Sequence, residues 1–267
     1  MELIDVHAHF FPDNIAPATI DFLEKEADIK AFGAGTAASL LEEMKRDGVT
    51  LSINAPVATK KEQVISINRR MIEFNKTSKE IICFGSMHPD FYQIGNIEEE
   101  ISYIAKNGIK GIKLHSEYQS FYPDEDRLKP VYEACVKHQI IILFHAGVDF
   151  AYETEVKATP QRLSGVVKLS GLRTILAHFG SYRQWDEVMK YLSGTPAYFD
   201  TAYSAEVAPE TCRNLVKSHG EDKILFGTDF PWQTAAMVKG MLERSGLSKD
   251  ALEKIYCKNA TKLLGLQ

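Results

Sequence analysis

The feature that most constrains this chain is an alternation that never breaks. Short apolar, β-branched runs read as strands at Leu3–Val6, Val49–Asn54, Ile81–Met87, Ile109–His115, Ile140–His145, Thr174–His178, Ala197–Asp200 and Lys223–Asp229. Helical spacing fills the intervals, at Ile15–Ala27, Thr36–Met44, Lys60–Lys76, Ile97–Lys106, Leu128–His138, Pro160–Leu169, Gln184–Leu192, Pro209–Ser218, Thr234–Arg244 and Lys249–Leu264. A strand followed by a helix, eight times in 267 residues, predicts parallel strands in a (β/α)8 TIM barrel. The competing fold, a doubly wound open sheet, wants a glycine-rich phosphate turn after the first strand. This chain has His-Ala-His-Phe-Phe-Pro-Asp-Asn there. No internal repeat, linker-like composition or low-complexity run divides it, so one domain over residues 1–267 is expected.

In such a barrel the reactive groups lie at the carboxyl ends of the strands. Reading off those ends gives His7 and His9, Asn54, His88, Lys113 and His115, His145, His178, Asp200 and Asp229. Six of the eight histidines are among them. The other two, His138 and His219, fall at helix ends, on the opposite face. His7 and His9 are two apart, which in a strand sends both imidazoles to one side. Alone, a His-x-His pair decides nothing; the clustering on one face makes it a signal.

That set suits a divalent metal. His7, His9, His145 and Asp229 supply neutral imidazoles and a carboxylate, with His178 as a fifth ligand or as an acid beside the metal. Zinc fits an N/O site of this kind best, with manganese, iron, cobalt and nickel as alternatives. Such an ion brings the pKa of a bound water toward about 7. Asp229 is the expected proton acceptor and His178 the group that returns a proton or stabilises developing charge. Lys113 and His115 are read as contacts for a second metal or for substrate. Phe10, His88, Tyr118, Gln119, Arg183 and Trp232, on the loops after the strands, are candidate substrate contacts, and an aromatic lining favours a planar or apolar substrate.

Composition narrows the partners. Net charge is −5 and no basic run exists, which disfavours nucleic acid. No apolar segment approaches the length of a membrane span, and the amino terminus carries Glu2 and Asp5 instead of a charged-then-apolar leader, so a cytoplasmic location is expected. The four cysteines, Cys83, Cys135, Cys212 and Cys257, lie far apart and read as reduced thiols. A small molecule is the expected partner, without nucleic acid or membrane; a homodimer is left open.

Five segments carry a family resemblance: Asp5-Val6-His7-Ala8-His9, Gly111-Ile112-Lys113-Leu114-His115, Leu143-Phe144-His145-Ala146-Gly147, Leu176-Ala177-His178-Phe179-Gly180 and Phe226-Gly227-Thr228-Asp229-Phe230-Pro231-Trp232. In this order they resemble the amidohydrolase superfamily, in the branch that includes decarboxylases of the aminocarboxymuconate semialdehyde type. The resemblance implies a (β/α)8 barrel and a metal held by His7, His9, His145 and Asp229, with His178 close by. It implies one ion, although relatives with two use a carboxylated lysine in the region of Lys113. Where relatives often have proline after the fourth-strand histidine, this chain has Ser116, which leaves His115 without a transferred role. Hydrolysis of a C–N or C–O bond is the first expectation and nonoxidative decarboxylation of an aromatic or unsaturated acid the second. A barrel that keeps metal ligands without catalysis stands behind both.

Overall fold

The computed structural model describes residues 2–152 and 155–266. Eight strand positions follow one another in parallel: β1 Ile4–Ala8, β2 Leu51–Asn54, β3 Ile81–Cys83 carried on by Gly85–Ser86, β4 Gly111–Leu114, β5 Ile141–Phe144, β6 Arg173–Leu176, β7 Tyr198–Asp200 and β8 Ile224–Leu225. Each strand pairs with the next, the ladder pausing only at Phe84 between the two parts of β3. Across the remaining gap, Val6 N–H donates to Phe226 O (2.9 Å), Asp229 N–H to His7 O (2.7 Å) and His9 N–H to Phe230 O (2.6 Å). The fold is the (β/α)8 barrel that the alternation predicts.

Period-two alternation sorts the strand side chains into two layers. Ile4, Val6, Ile53, Phe84, Ile141, Leu143, Ile175 and Leu225 pack inside the ring, closed at one end by Ala260, Leu263 and Leu264 of the last helix. Ile112, Leu114, Ile142, Phe144 and Leu176 face outward into the shell of helices. Following the inward phase of β5 past Leu143 leads to His145, and the inward phase of β4 contains Lys113 and His115. The polar site is therefore the upper layer of the barrel's own interior.

The helices that matter most for that layer are α1 Ala16–Ala27, α2 Ala37–Asp47 and α3 Val64–Asn75. The Thr36 side chain caps α2 by accepting from Ser39 N–H, and Gly48 ends it in a left-handed turn. The final helical stretch, expected as one unit, is split by a wider turn at Lys254–Lys258, where Ile255 O accepts from Phe226 N–H. Among the described residues no helix is long and apolar enough to cross a membrane.

Two strands stop two or more residues short of their expected ends. β6 closes at Leu176 and β8 at Leu225, while His178 (φ 62°) and Asp229 (φ 65°) sit in the left-handed region. Non-glycine residues enter that region at a cost and stay there only when neighbours hold them. Asp200 Oδ1 accepts from His178 N–H (2.9 Å) and His7 O from Asp229 N–H. The loop after β5 depends on a true glycine: Gly147 has φ 91° and bridges Tyr182, whose nitrogen would lie 2.1 Å from an added Cβ. Gly147→Ala should cost about 1–3 kcal/mol of stability, read as a lower urea midpoint at unchanged m-value; an unchanged midpoint would show that the loop relaxes freely.

Candidate active site

Three donor atoms meet at the mouth of the barrel. His7 Nε2 lies 3.2 Å from His9 Nε2 and 3.4 Å from Asp229 Oδ1, and His9 Nε2 is 3.0 Å from the same carboxylate oxygen. The pair two residues apart and the aspartate 220 residues later converge because β1 and the segment after β8 are hydrogen-bonded neighbours.

The hydrogen bonds fix which nitrogens carry protons. His7 Nδ1 lies 2.9 Å from Asp200 Oδ2, so Nδ1–H donates and Nε2 keeps its lone pair toward His9 and Asp229. Lys113 Nζ, almost fully buried, donates to that lone pair at 2.9 Å. On the other side, Ala202 O can only accept, so His178 carries its proton on Nδ1 (2.9 Å) and His178 Nε2 accepts from His145 Nδ1 (3.2 Å). His145 Nε2 is left as a buried lone pair with no protein partner.

Electrostatics keep His7, His115 and His145 neutral and Asp200 and Asp229 ionised. Burial, helped by the Lys113 ammonium, lowers His7 to about 4 against the pull of Asp200 and Asp229. Burial and neighbouring imidazoles or Lys113 hold His115 and His145 well below the usual histidine range. Asp229 is largely withdrawn from solvent, which alone would raise it, but His7, His9 and His178 around it hold it well below the usual carboxylate range. Asp200 is likewise kept low, burial being outweighed by His7 and by hydrogen bonds. Lys113 is lowered by burial to about 8, which Asp229 and Asp200 moderate. A neutral His7 beside an ionised Asp229 is the kind of donor pair that a divalent cation takes.

The amidohydrolase family profile matches residues 4–266. The chain belongs to the amidohydrolase family. Solved structures of the same fold cover it end to end at low identity. A 5-carboxyvanillate decarboxylase from Sphingomonas paucimobilis is 14% identical, with 100% of this chain and 99% of that one aligned and a TM-score of 0.73. A TIM-barrel protein from Bordetella bronchiseptica is 17% identical over 99% of both chains, TM-score 0.77. A dihydroxybenzoic acid decarboxylase from a Polaromonas species, with bound manganese and 2-nitroresorcinol, is 17% identical over 99% of this chain and 97% of that one, TM-score 0.73. No curated protein sequence matches.

In this amidohydrolase the expected site residues divide into three groups. His7, His9 and Asp229 form one set of donors within 4.8 Å of one another; His145 falls in a second such set with His115 and Asp149, and touches His178. The His115 ring is stacked between Tyr118 (centroids 4.1 Å apart) and His145 (4.0 Å). Phe10, Lys113, His115, Tyr118 and Trp232 line a cavity of about 580 Å³ above these groups. The third group lies outside that lining. His88 caps the turn after β3 by accepting from Asp90 N–H (3.1 Å). Gln119 spends its amide on Ala58 O, Met87 O and His115 N–H, tying three loops together. Arg183 is exposed, its guanidinium over the Phe150 ring at 4.9 Å.

Three participants were not singled out by the sequence as site residues. Asp200 orients His7, and its place at the end of β7 was the available signal. Asp149 joins His115 at 3.4 Å from a loop whose course no pattern announces. Arg70 lines the cavity from a helix, where no strand-end rule points. In the metal-free protein, imidazole nitrogen NMR should find His7 as the neutral Nδ1–H tautomer from pH 5 to 8, protonating near pH 4, with the tautomer lost in Asp200→Asn. A titration near 6.5, the free histidine value, would contradict the arrangement.

Proposed function

We propose that this amidohydrolase is a metal-dependent carboxy-lyase that removes CO2 from an aromatic or unsaturated carboxylic acid. The observation that carries the reading is the unpartnered, buried His145 Nε2, on a ring hydrogen-bonded to His178, whose own ring lies 5.6 Å from that of His7, in the lining of the cavity that His7, His9 and Asp229 also line. His7, His9, Asp229 and His145 would hold one divalent ion, zinc by donor type or manganese as in the Polaromonas decarboxylase. When bound, that ion supplies a positive centre for substrate oxygen and for the charge that develops as CO2 leaves. Decarboxylation is favoured over hydrolysis because full-length structural relatives act on carboxylated aromatics, and because the cavity walls suit a planar ring.

The chain's own groups account for the proton balance, RCO2⁻ + H⁺ → RH + CO2. The carbon–carbon bond breaks with its electron pair left on the ring carbon, and a proton takes the place of CO2. Asp229, ionised at rest, takes up the one proton of that balance from solvent as substrate binds and delivers it to that carbon. Lys113 lies 2.9 Å from His7 Nε2 and adds positive charge at the cavity floor, where a substrate carboxylate sits. His178, braced by Ala202 and Asp200, holds His145 in place. Hydrolysis is the second reading. The same ionised Asp229 could take a proton from a water attacking a C–N or C–O bond.

Incubation of manganese- or zinc-loaded protein with a panel of hydroxybenzoates, unsaturated diacids, lactones and amides separates the two. CO2 released in step with loss of an aromatic or unsaturated acid is expected, abolished by chelation and restored by metal. Asp229→Asn should lower the rate by about 10²–10⁴-fold. Product from lactones or amides with no CO2 from any acid would overturn the carboxy-lyase reading.

A further inference from the structure

The cavity is larger than a single ring with its substituents requires. Its volume of about 580 Å³ falls within the range of about 300–1,000 Å³ that encloses drug-sized ligands. Two helices make its outer walls, and their facing sides differ in chemistry. On α1 and the residue before it, Ile15, Thr19, Phe22 and Leu23 follow helical spacing and line the space with largely apolar surface. Phe22 is 59% exposed and Ile15 45%, more than isolated side chains of a finished core.

The wall formed by α3 and the residue before it carries Gln63, Ser66, Ile67 and Arg70, again at helical spacing. Adjacent arginines on this helix have different fates. Arg69 grips Glu100 with two bonds of 2.8 Å and lies over the Tyr103 ring. Arg70 turns to the cavity, and among the described residues it has no hydrogen bond or ion pair. Lys113 is the other cation in the lining and is engaged by His7 at the floor. The cavity thus has one cation at its floor and a second, unengaged one on its exposed wall, with apolar surface facing it.

We infer that this site takes an amphiphilic dianion longer than one ring. Its reacting acid group meets His7, His9 and Asp229, its apolar body lies along Ile15, Phe22 and Leu23, and a second anionic group, carboxylate, sulfate or phosphate, is held by Arg70. The position of the reacting end rests on the carboxy-lyase reading; the preference of the outer site for an amphiphilic anion does not. A guanidinium recognises any of these anions by the same paired N–H donors.

A matched pair of fluorescent probes tests the outer site without turnover: 8-anilinonaphthalene-1-sulfonate and its uncharged parent N-phenyl-1-naphthylamine, titrated into the full-length metal-loaded protein. Arg70→Gln should weaken the sulfonate by about fivefold, the scale of a partly exposed ion pair, and leave the parent unchanged. Arg70→Lys should restore most of the loss, and Phe22→Ala should weaken both probes alike. An unchanged sulfonate-to-parent ratio in Arg70→Gln, or Phe22→Ala without effect on either probe, would overturn the inference. So would probe binding that fades as sedimentation shows the chain pairing, since a second copy would then cover the apolar wall. A positive probe result with no CO2 from any acid would leave the outer site standing and refute only the chemistry at the floor.

Discussion

The site depends on the seam where the first strand meets the last. Asp5, fully buried in β1, accepts from Thr228 N–H (3.0 Å), Thr228 Oγ1–H (2.7 Å) and its own neighbour His7 N–H (3.0 Å). Together with the backbone bonds from Val6, His9 and Asp229, it joins residues 220 or more positions apart. A buried carboxyl without such donors would be costly, and burial pushes Asp5 up to about 8 even with them. The same bonds that close the ring put His7 and His9 against Asp229. Fold closure and site assembly are one event in this chain.

A second layer of restraint governs chemistry. Asp200 at the end of β7 holds the His7 ring and also the backbone of His178 and Ala202, so one carboxylate sets both halves of the site. Its effect is to turn lone pairs inward: His7 Nε2 toward His9 and Asp229, and, through His178, His145 Nε2 into a place with no protein partner. Stacking of Tyr118, His115 and His145 keeps those rings from rotating away. Preorganised lone pairs around an ionised carboxylate are costly to build and are relieved by a bound cation.

Much of this was legible in the sequence. Strand phase alone carries Leu143 inward and therefore His145, and the two-residue spacing puts His7 and His9 on one side, but Ile4 and Val6 also pack inside, so it is the register shift between Asp5 and Ala8 that turns the two histidines to the site. The pattern failed where backbone departs from that period. His178 and Asp229 were expected at strand ends, yet left-handed backbone aims them, and that conformation is imposed by hydrogen bonds to Asp200 and His7 from distant segments. Gln119 and His88 carry side chains suited to substrate but are consumed by bracing loops, which depends on where Ala58 and Asp90 come to rest. Arg70 was invisible because helical spacing says which residues share a face, not which face meets a cavity.

The most direct measurement is anomalous scattering from a crystal of the full-length protein grown with manganese. A single strong peak within about 2.1 Å of His7 Nε2, His9 Nε2 and an Asp229 oxygen, with His145 Nε2 as a further ligand, is the predicted result. A peak among His115, His145 and Asp149 with none beside His7, or no ordered metal near either set, would contradict the account.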